Sequence, residues 1–573
     1  MKVDRIWLKN YPEGVPADID PQRFTSITEM VGECFKTYGH RTAQTFMGKK
    51  ISYTQIDAQS MQIASYLQSL GLSPGDRVAV MMPNLPQYAI AALAVLRAGY
   101  VLVNVNPMYT ARELEHQLND ADAKAIFIVD NFAHTLAQAL PATPVQHVVL
   151  TSVGDLIGGI KGWFINKAVR LKGMIPQYDI PHAVSFKEAL LRGEFKLADF
   201  QQPIIRGSDV AVLQYTGGTT GVSKGATLLH SNLVANVLQT YTWVLPALKK
   251  ISSQDEQLVF IGALPLYHIF AFTINLLICF YVGGNNILIA DPRNMSGMLK
   301  DMRKQRFHVL PAVNTLFNGL LNHPEVHSVD WSSLRLSVAG GMSVQQATAQ
   351  AWYKLTGCCM VEGYGMSETS PVICATRVDL NVSASEPQQP GIGYPIPSTE
   401  VVLLDDEGLP VGLNTPGEIA VRGPQVMAGY WNSPQETEKV MTKDGFLRTG
   451  DVAVMDEQGW IRIVDRKKDM ILVSGFNVYP NEIEDVVAHL DGVAECVAVG
   501  VPDAKSGEAV AIIIVKKDPA LTAEHVKSWC KEHLTGYKRP RYVLFKESLP
   551  KSAVGKILRR ELKPILDELL QKN

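Results

Sequence analysis

Along the N-terminal third of the chain, short continuous apolar runs alternate with segments in which apolar residues have the spacing of a helix. The runs Arg77–Met82 and Val101–Val105 are typical of buried strands, whereas Tyr88–Arg97 has the periodicity of a helix. Ser52 and Gln55 have the spacing of a capping box, and the segment after them repeats apolar residues as a helix does. Strands that alternate with helices predict βα units, and therefore an α/β fold with largely parallel sheets.

A second, smaller domain is predicted after the charge run Asp465–Asp469 (DRKKD). Beyond it the pattern predicts helices over Asn481–Leu490 and Ala523–Leu534, and strands over Cys496–Val501 and Ala511–Val515. These elements are enough for a small α+β domain. We therefore divide the chain into a large N-terminal domain of layered βα-type sheets (1–464), a linker (465–470) and a small α+β C-terminal domain (471–573).

Composition and charge exclude several classes of protein. A formal net charge of −2 gives the chain no global bias towards nucleic acid or an anionic membrane. The 7 cysteines lack metal-ligand spacing, which favours reduced thiols in the cytoplasm over disulfides or a zinc site. The N-terminus has no apolar h-region, and the longest apolar stretch, Ile269–Val282, is shorter than the ~20 residues that a spanning helix needs. We expect that stretch to be a buried segment.

The segment Lys161–Met174 (KGWFINKAVRLKGM) combines aromatic and basic residues. On a helix, this pattern gives an aromatic face beside basic side chains, which is typical of a helix that lies on a membrane surface. We expect instead that the apolar face packs on the same protein, because short amphipathic helices are common in globular domains.

The segment Gln214–Gly225 (QYTGGTTGVSKG) follows the predicted strand Val210–Tyr215. Its glycines would let backbone N–H groups approach phosphate oxygens, its threonines add donors and an oxygen ligand for Mg²⁺, and Lys224 adds positive charge. A P-loop needs G-x-x-x-x-G-K-[ST], and here Ser223 precedes the lysine and Gly225 follows it. The pattern predicts nucleotide binding without the P-loop architecture, with a plain turn as the alternative.

This loop resembles the signature loop of the AMP-forming acyl-adenylating enzymes, which include acyl-CoA synthetases, luciferases and peptide-synthetase adenylation domains. Further segments resemble other motifs of the same family in the same order: Leu264–Phe270 (LPLYHIF), Ser337–Met342 (SVAGGM), Glu362–Thr369 (EGYGMSET), Gly417–Trp431 (GEIAVRGPQVMAGYW), Arg448–Asp451 (RTGD), Asp465–Gly475 (DRKKDMILVSG) and Pro550–Lys556 (PKSAVGK).

The stretch Asp444–Lys468 resembles the signature of fatty-acyl-CoA synthetases, most closely that of the bacterial long-chain enzymes. Phe446 stands where Trp is usual and Arg448 where His is usual, so the aromatic and polar characters are kept. The resemblance implies a long-chain fatty acid–CoA ligase, which adenylates the acid with release of pyrophosphate and then forms the CoA thioester with release of AMP. It implies Mg²⁺ as cofactor, fatty acid, ATP and CoA as substrates, and no nucleic acid partner. A homodimer is a further expectation, and peripheral contact of residues 161–174 with the inner face of the cell membrane stays open as the alternative to packing on the same protein.

The resemblance also implies roles for individual residues. Thr216, Thr219, Thr220 and Lys224 would line the phosphates, Thr219 and Glu368 would hold Mg²⁺, and Tyr364 would stack on adenine. Gly340 and Gly341 would form a thin wall between the adenine and acyl pockets, Asp451 would accept from the ribose hydroxyls, and Arg466 would contact ribose or phosphate. The remaining implied ATP- or AMP-binding positions are Gly217, Gly218, Glu362, Gly363, Gly365, Ser367 and Ile463.

For the chemistry itself, the resemblance implies that Lys556 reaches the substrate carboxylate and the α-phosphate, with His268 as a second catalytic candidate. The resemblance further implies that residues 1–464 are an adenylation domain and that residues 465–470 are a hinge linker to a small, mobile C-terminal domain. Lys468 matches the hinge about which that domain would swing, and Gly475 would flank the CoA channel. His268, Phe272 and Ala339 match acyl-pocket positions. Plain core is the alternative for Phe272, and a satisfied core histidine for His268.

Four other functions stay open from the residues alone. They are a CoA ligase for medium-chain or aromatic acids, an adenylase that loads a carrier protein, a luciferase-like oxygenase, and a non-catalytic acyl or nucleotide binder. Lys556, Glu368 and Asp451 together count against the binder, because a binder has no need of the lysine. The broken Walker pattern counts against a P-loop kinase.

Overall fold

Two mainly parallel sheets form the framework of the N-terminal region. The structure is a computed structural model, which describes residues 2–216, 223–251, 256–342, 344–378, 389–474, 476–503, 506–552, 555–559, 561–562 and 566. Within these residues the first sheet has eight strands, in the order Gly429–Tyr430, Lys224–Leu229, Val210–Thr216, Val101–Asn104, Arg77–Met81, Ala123–Val129, His147–Thr151 and Val184–Ser185. The second has nine described strands, in the order Tyr394–Pro395, Val372–Ala375, Met360–Gly365, Leu336–Gly340, Val309–Ala312, Val259–Gly262, Asn285–Leu288, Thr42–Phe46 and Lys49–Ser52. Central neighbours run parallel in both sheets.

Two further sheets follow along the chain. The third is antiparallel, and its described strands are Glu400–Leu404, Gly417–Arg422, Leu447–Met455 and Ile461–Arg466. The fourth belongs to the C-terminal region and contains Phe476–Val478, Ile471–Val473, Gly507–Lys516 and Val493–Asp503, with Tyr542–Lys546 paired in parallel to Gly507–Lys516. The chain passes from the third sheet to the fourth through residues 467–470. Asp465 and Arg466, which the sequence places in the linker, form the end of a strand.

Helices pack against these sheets. The described α-helices are Ile27–Tyr38, Tyr53–Gln68, Pro86–Arg97, Ala111–Asp120, Ala133–Ala139, Gly159–Leu171, Phe186–Phe195, His230–Ile251, Ile269–Ala271, Cys279–Tyr281, Met295–Met302, Asn314–Leu321, Gln346–Thr356, Pro434–Val440, Pro480–Ala488 and Ala523–His533. Buried apolar side chains pack on both faces of the parallel sheets. Successive residues of these strands are therefore apolar, without the alternation of a sheet that has one face in solvent.

Local sequence signals correspond to local structure at several points. The Ser52 hydroxyl accepts from the Gln55 N–H at 3.2 Å, and the Gln55 side chain accepts from the Ser52 N–H at 2.9 Å, so the predicted capping box forms. The two helices and two strands predicted beyond the charge run are present. The fifth C-terminal strand, Tyr542–Lys546, escaped prediction because its apolar run is short, and its residues are only half-buried.

The apolar stretch Ile269–Val282 is a buried segment, as expected. Its middle, Phe272–Ile278, is a π-helix, and every residue in it is buried. Wide turns of this kind are rare and often lie at functional sites. No helix in the part of the chain that the structure describes is both long and apolar enough to cross a membrane.

The aromatic face of the Gly159–Leu171 helix does not pack on the rest of the protein. Its inward side is Gly162, which lies so close to Gly154 that an added Cβ would be 2.3 Å from the Gly154 carbonyl oxygen. On the outward side, the exposed fractions of Trp163 and Phe164 are 56% and 59%. The expectation that this face packs on the same protein is therefore wrong. Gly162 makes the close contact with Gly154, whereas Trp163 and Phe164 face solvent.

Candidate active site

A cavity of about 3100 Å³ lies where the N-terminal sheets, the third sheet and the C-terminal region meet. Most of the predicted site residues line it: Thr216, Lys224, His268, Ala339, Gly340, Gly341, Glu362, Gly363, Tyr364, Gly365, Ser367, Glu368, Asp451, Ile463, Arg466, Lys468 and Lys556. Phe272 is fully buried and is not brought into this site. Gly217, Gly218, Thr219, Thr220 and Gly475 lie outside the described residues.

Two antiparallel strands carry the ends of the Gly/Thr loop to one rim of the cavity, where Thr216 pairs with Lys224. The Lys224 ammonium forms an ion pair with Glu436 and lies 5.3 Å from the centre of the Tyr430 ring. Hydrogen bonds from Lys224 and Lys439 lower the pKa of Glu436 to about 2, so this carboxylate is ionised at neutral pH. An anionic ligand at this rim would compete with Glu436 for the lysine.

Glu368 is a buried carboxyl group beside this rim, with an exposed fraction of 5%. It lies on the short 3₁₀ helix Ser367–Thr369, and its Oε1 accepts from the Tyr430 hydroxyl at 2.8 Å. Burial raises the pKa of Glu368. A nearby cation would favour its ionised form. Tyr430 and Glu436 were missed by the sequence analysis, although Tyr430 lies inside the motif Gly417–Trp431.

Tyr364, Asp451 and Arg466 converge at the wall of the same cavity. The Tyr364 hydroxyl donates to Asp451 Oδ2 at 2.7 Å. Asp451 Oδ1 lies 3.2 Å from Arg466 Nε, and the two residues are partners on adjacent antiparallel strands. An aromatic ring beside an oriented carboxylate is an arrangement that can bind a base and its sugar hydroxyls.

The glycine wall has a packing reason. Gly340 ends the strand Leu336–Gly340 next to Gly363. A Cβ at Gly340 would lie 3.0 Å from the Phe270 ring and 3.2 Å from the Gly363 carbonyl oxygen, and Gly341 has a φ of +78°. A side chain would therefore be crowded at Gly340 and would strain the backbone at Gly341, and both glycines line the cavity.

Glu362 is a further carboxyl group that lines the cavity, and it is partly exposed. Burial raises its pKa to about 8, although the backbone N–H of Val344 donates to it at 3.4 Å. Asp485 of the C-terminal region raises that pKa further. Glu362 is therefore largely protonated at neutral pH.

Lys556 reaches the cavity from the C-terminal region. The loop that carries it is docked on the N-terminal region, because the Thr315 hydroxyl donates to the Gly555 carbonyl at 3.0 Å. Burial, with help from Arg466, lowers the pKa of Lys556 from its ordinary 10.5 to about 8, while Asp451 opposes the change. The lysine is thus mainly charged at neutral pH, close to the polar groups that line the cavity.

His268 lies near this lysine as a neutral imidazole. Burial, together with the Lys556 charge, lowers the pKa of His268 to about 4. Its Nδ1 accepts from the Phe270 N–H at 3.3 Å, which leaves the proton of the neutral ring on Nε2. His268 can therefore offer a hydrogen-bond donor to a carboxylate but cannot supply a positive charge at neutral pH.

One part of the cavity wall is apolar. Its lining includes side chains from the helix His230–Ile251, the π-helix and the second sheet: Trp243, Val244, Leu248, Ile274, Ile278, Val338 and Val361. Trp243 is held in place, because its indole N–H donates to the Thr376 carbonyl at 3.0 Å. These residues were missed by the sequence analysis, since an apolar residue in a helix gives no local sign of whether it faces core or cavity.

Among the described residues, no group of three or more His, Cys, Asp or Glu side chains is arranged to hold a metal ion. Glu368 is the predicted metal ligand that the structure does describe, and both it and Thr216 line the cavity. Mg²⁺ is commonly bound by one or two carboxylates together with substrate phosphates and water. Glu368 fits that donor set.

Comparison with known proteins extends this picture. Residues 33–431 match the AMP-binding enzyme family and residues 482–556 match the AMP-binding enzyme C-terminal domain. The chain is 50% identical over 561 residues to a long-chain-fatty-acid–CoA ligase of Escherichia coli O157:H7, covering 98% of each chain. It is 46% identical over 563 residues to the enzyme of that name from Haemophilus influenzae, again covering 98% of each. The crystal structure of the anthranilate CoA ligase AuaEII with anthranoyl-AMP has a TM-score of 0.83 at 21% identity, covering 97% of this chain and 100% of that one, and so shows the shared fold.

Proposed function

This chain belongs to the AMP-binding enzyme family, and we propose that within it the chain is a long-chain fatty acid–CoA ligase. It adenylates a fatty acid with ATP, releasing pyrophosphate, and then transfers the acyl group to CoA, releasing AMP. The observation that carries the proposal is the convergence of Lys556, Tyr364 and Asp451 on one cavity that also has an apolar wall. The identity to long-chain-fatty-acid–CoA ligases over nearly the whole chain supports the choice of substrate.

In the first step a carboxylate oxygen attacks the α-phosphorus and pyrophosphate leaves. Two anions must approach each other, and negative charge builds on the phosphate oxygens. The Lys556 ammonium offsets that repulsion, and a donor on His268 orients the carboxylate. Tyr364 and Asp451 hold the adenosine. Lys224 breaks its ion pair with Glu436 and pairs with a phosphate of ATP instead.

Mg²⁺ is the proposed cofactor, held by Glu368 together with Thr219, which lies outside the described residues. When bound, Mg²⁺ supplies positive charge to the β- and γ-phosphates. The Tyr430 hydroxyl donates to Glu368 Oε1 and so restrains the orientation of this carboxylate, which leaves its second oxygen for the metal.

In the second step a thiol attacks the acyl carbonyl and AMP leaves. Lys556 and the thiol cannot occupy the same side of that carbonyl at once, so the C-terminal domain has to move between the steps. Lys468 lies in the crossing between the third and fourth sheets, which suits a hinge. Movement there would carry Lys556 out and open the CoA channel.

The function is tested by pyrophosphate release from the purified enzyme with ATP, Mg²⁺ and CoA, across acids from acetate to oleate. Turnover that peaks at long chains and needs CoA supports the proposal. A peak at medium-chain or aromatic acids keeps the adenylation chemistry but replaces the substrate class. Failure to release pyrophosphate with any acid would favour a non-catalytic binder.

We also propose that the helix Gly159–Leu171 contacts a membrane surface. Four large apolar side chains lie on its outward face, with exposed fractions of 77% for Ile160, 56% for Trp163, 59% for Phe164 and 78% for Leu171. Their spacing places them on one side of the helix. The inward side is anchored, since Asn166 Oδ1 accepts from the Gly154 N–H at 2.7 Å.

The charge around this face suits an anionic bilayer. Residues 159–174 contain Lys161, Lys167, Arg170 and Lys172 but no acidic residue. The Lys167 ammonium lies 4.9 Å from the Trp163 ring centre, so basic and aromatic groups are interleaved. Helices with this composition lie in the interface of anionic membranes, and fatty acids partition into the same layer.

Co-sedimentation with phosphatidylserine-containing vesicles tests this contact. We expect the double variant Trp163→Ser, Phe164→Ser to lose at least about tenfold in vesicle affinity, while turnover of a soluble medium-chain acid is unchanged. Leu409→Ser is a matched control, because Leu409 is also exposed (62%) but lies outside this helix. If the wild-type protein stays in the supernatant, or if Leu409→Ser weakens binding equally, the contact is refuted.

A further inference from the structure

Arg559 lies three residues after Lys556, and its guanidinium sits among carboxylates. Its Nη2 lies 2.7 and 2.8 Å from the two Glu484 carboxylate oxygens, and its Nη1 lies 3.3 Å from Asp469 Oδ2 and 3.8 Å from Asp465 Oδ1. The side chain is mostly buried, with an exposed fraction of 18%. A buried arginine held on several sides fixes the direction of the chain segment that carries it.

The three carboxylates differ in where they lie along the chain. Glu484 follows the crossing between the third and fourth sheets and so lies on the same side of it as Arg559, whereas Asp469 lies within the crossing itself. Asp465 precedes the crossing and is part of the strand Ile461–Arg466 in the third sheet. The Arg559–Asp465 contact therefore joins the C-terminal region to the N-terminal one.

Asp465 makes a second bond across the same boundary. It is fully buried, and its Oδ2 accepts from the Asn481 N–H at 3.1 Å, at the start of the helix Pro480–Ala488. Asn481 Oδ1 in turn accepts from Arg559 Nη2 at 3.0 Å. The buried Asp465 carboxylate thus contacts two groups of the C-terminal region, a backbone N–H at a helix N-terminus and the Arg559 guanidinium.

The strand that carries Asp465 also carries Arg466, which is paired with Asp451 at the cavity wall. On the other side of the contact, Arg559 is joined to Lys556 by two residues, Ile557 and Leu558. The Asp465–Arg559 contact consequently sets the position of the lysine relative to the groups that would hold the nucleotide. Rotation about the crossing would break it, because its two partners lie on opposite sides.

We propose that Asp465 and Arg559 form a latch that positions Lys556 for the adenylation step and is released for thioester formation. This rests on the proposed ligase function. Arg559 is a positioning residue, because its side chain acts through the loop that carries Lys556. The latch predicts that its loss slows adenylation selectively, since thioester formation takes place with the contact already broken.

The two half-reactions, measured separately, test the latch. Adenylation is followed by ATP–pyrophosphate exchange without CoA, and thioester formation by mixing ready-made acyl-adenylate with CoA. For Arg559→Gln we expect at least a tenfold lower maximal exchange rate, a KM for ATP within about threefold of wild type, and an unchanged or faster thioester step. Arg559→Lys should recover part of the exchange rate, because it keeps the charge but loses the fork geometry.

Asp465→Asn provides a second variant of nearly the same shape, should Arg559→Gln fold poorly. We expect it to slow exchange selectively, and the double variant to be no slower than Arg559→Gln alone. Arg541→Gln is the matched control, because Arg541 pairs with Asp503 within the C-terminal region and away from the crossing. An equal loss in both half-reactions, a loss in neither, or the same split in Arg541→Gln would overturn the latch. A wild-type enzyme that adenylates no acid would instead overturn the proposed function.

Discussion

The charge state of Lys556 gives a sharp prediction for the pH dependence of adenylation. Burial and the neighbouring charges of Arg466 and Arg559 lower the pKa of the lysine to about 8, although Asp451 and Asp469 pull it back upwards. Only the ammonium form offsets the repulsion between carboxylate and phosphate. The proton is therefore lost, and with it the activity, as the pH rises through about 8.

The size of the effect follows from this pKa. One unit above it, about one lysine in ten is protonated, so kcat/KM for pyrophosphate exchange should fall about tenfold between pH 7 and pH 9. A lysine with its ordinary pKa of about 10.4 would lose only a few per cent over the same range. The assay is exchange without CoA from pH 6.5 to about 10 at saturating Mg²⁺, because kcat/KM reports the groups of the free enzyme.

Two substitutions separate this lysine from other titrating groups. Lys556→Arg keeps its charge at every pH used, so its profile, at a lower rate, should stay level above pH 8. Lys556→Ala should be at least about a hundredfold slower and level throughout. A wild-type profile that stays level to pH 9.5, or a Lys556→Arg profile with the same fall, would refute the assignment of the titration to this lysine.

Three further predictions concern the cavity. Gly340→Val, whose side chain would meet the Phe270 ring, should raise KM for the fatty acid at least tenfold. A KM equal to that of the wild type would contradict the prediction that Gly340 is part of a thin wall beside the acyl pocket. Tyr430→Phe removes the hydroxyl that donates to buried Glu368, a hydrogen bond worth about 1.5–3 kcal/mol. The Mg²⁺ concentration that half-activates pyrophosphate exchange should therefore rise at least about tenfold. An unchanged Mg²⁺ dependence would contradict the role of Glu368 as a metal ligand. Phe272→Leu should lower the unfolding free energy by about 1–3 kcal/mol in denaturant melts and leave the preferred chain length unchanged, whereas a changed preference would make Phe272 a gate after all.

Much of the fold follows from short-range signals in the sequence. The capping box at Ser52 and Gln55 and the apolar run Arg77–Met81 depend on residues within a few positions of each other, so they can be recognised without the tertiary structure. The third sheet was less predictable at its end. Asp465 and Arg466 have the charge of a linker but pair across strands, with Arg466 opposite Asp451, and only the partner strand decides this.

Motif likeness placed the candidate site residues, and the structure supplied their contacts. Lys224, Glu368 and Asp451 could each be named from a motif, but their partners Glu436, Tyr430 and Tyr364 come from segments far away along the chain. Pairings between distant segments leave no periodic trace in one sequence. The acyl lining has the same difficulty, since Trp243 reads as core until the cavity beside it is seen.

The sequence by itself determined the α/β class and the capping box at Ser52, because these depend on local periodicity and on residue type, while likeness to family motifs named the candidate site residues. Only the tertiary structure decided which side of the Gly159–Leu171 helix faces solvent, that Phe272 lies in the core, and that Asp465 meets Arg559 across the crossing. Those outcomes depend on which surfaces come together when the sheets pack, and burial, charge pairing and the pKa of Lys556 are properties of that packing.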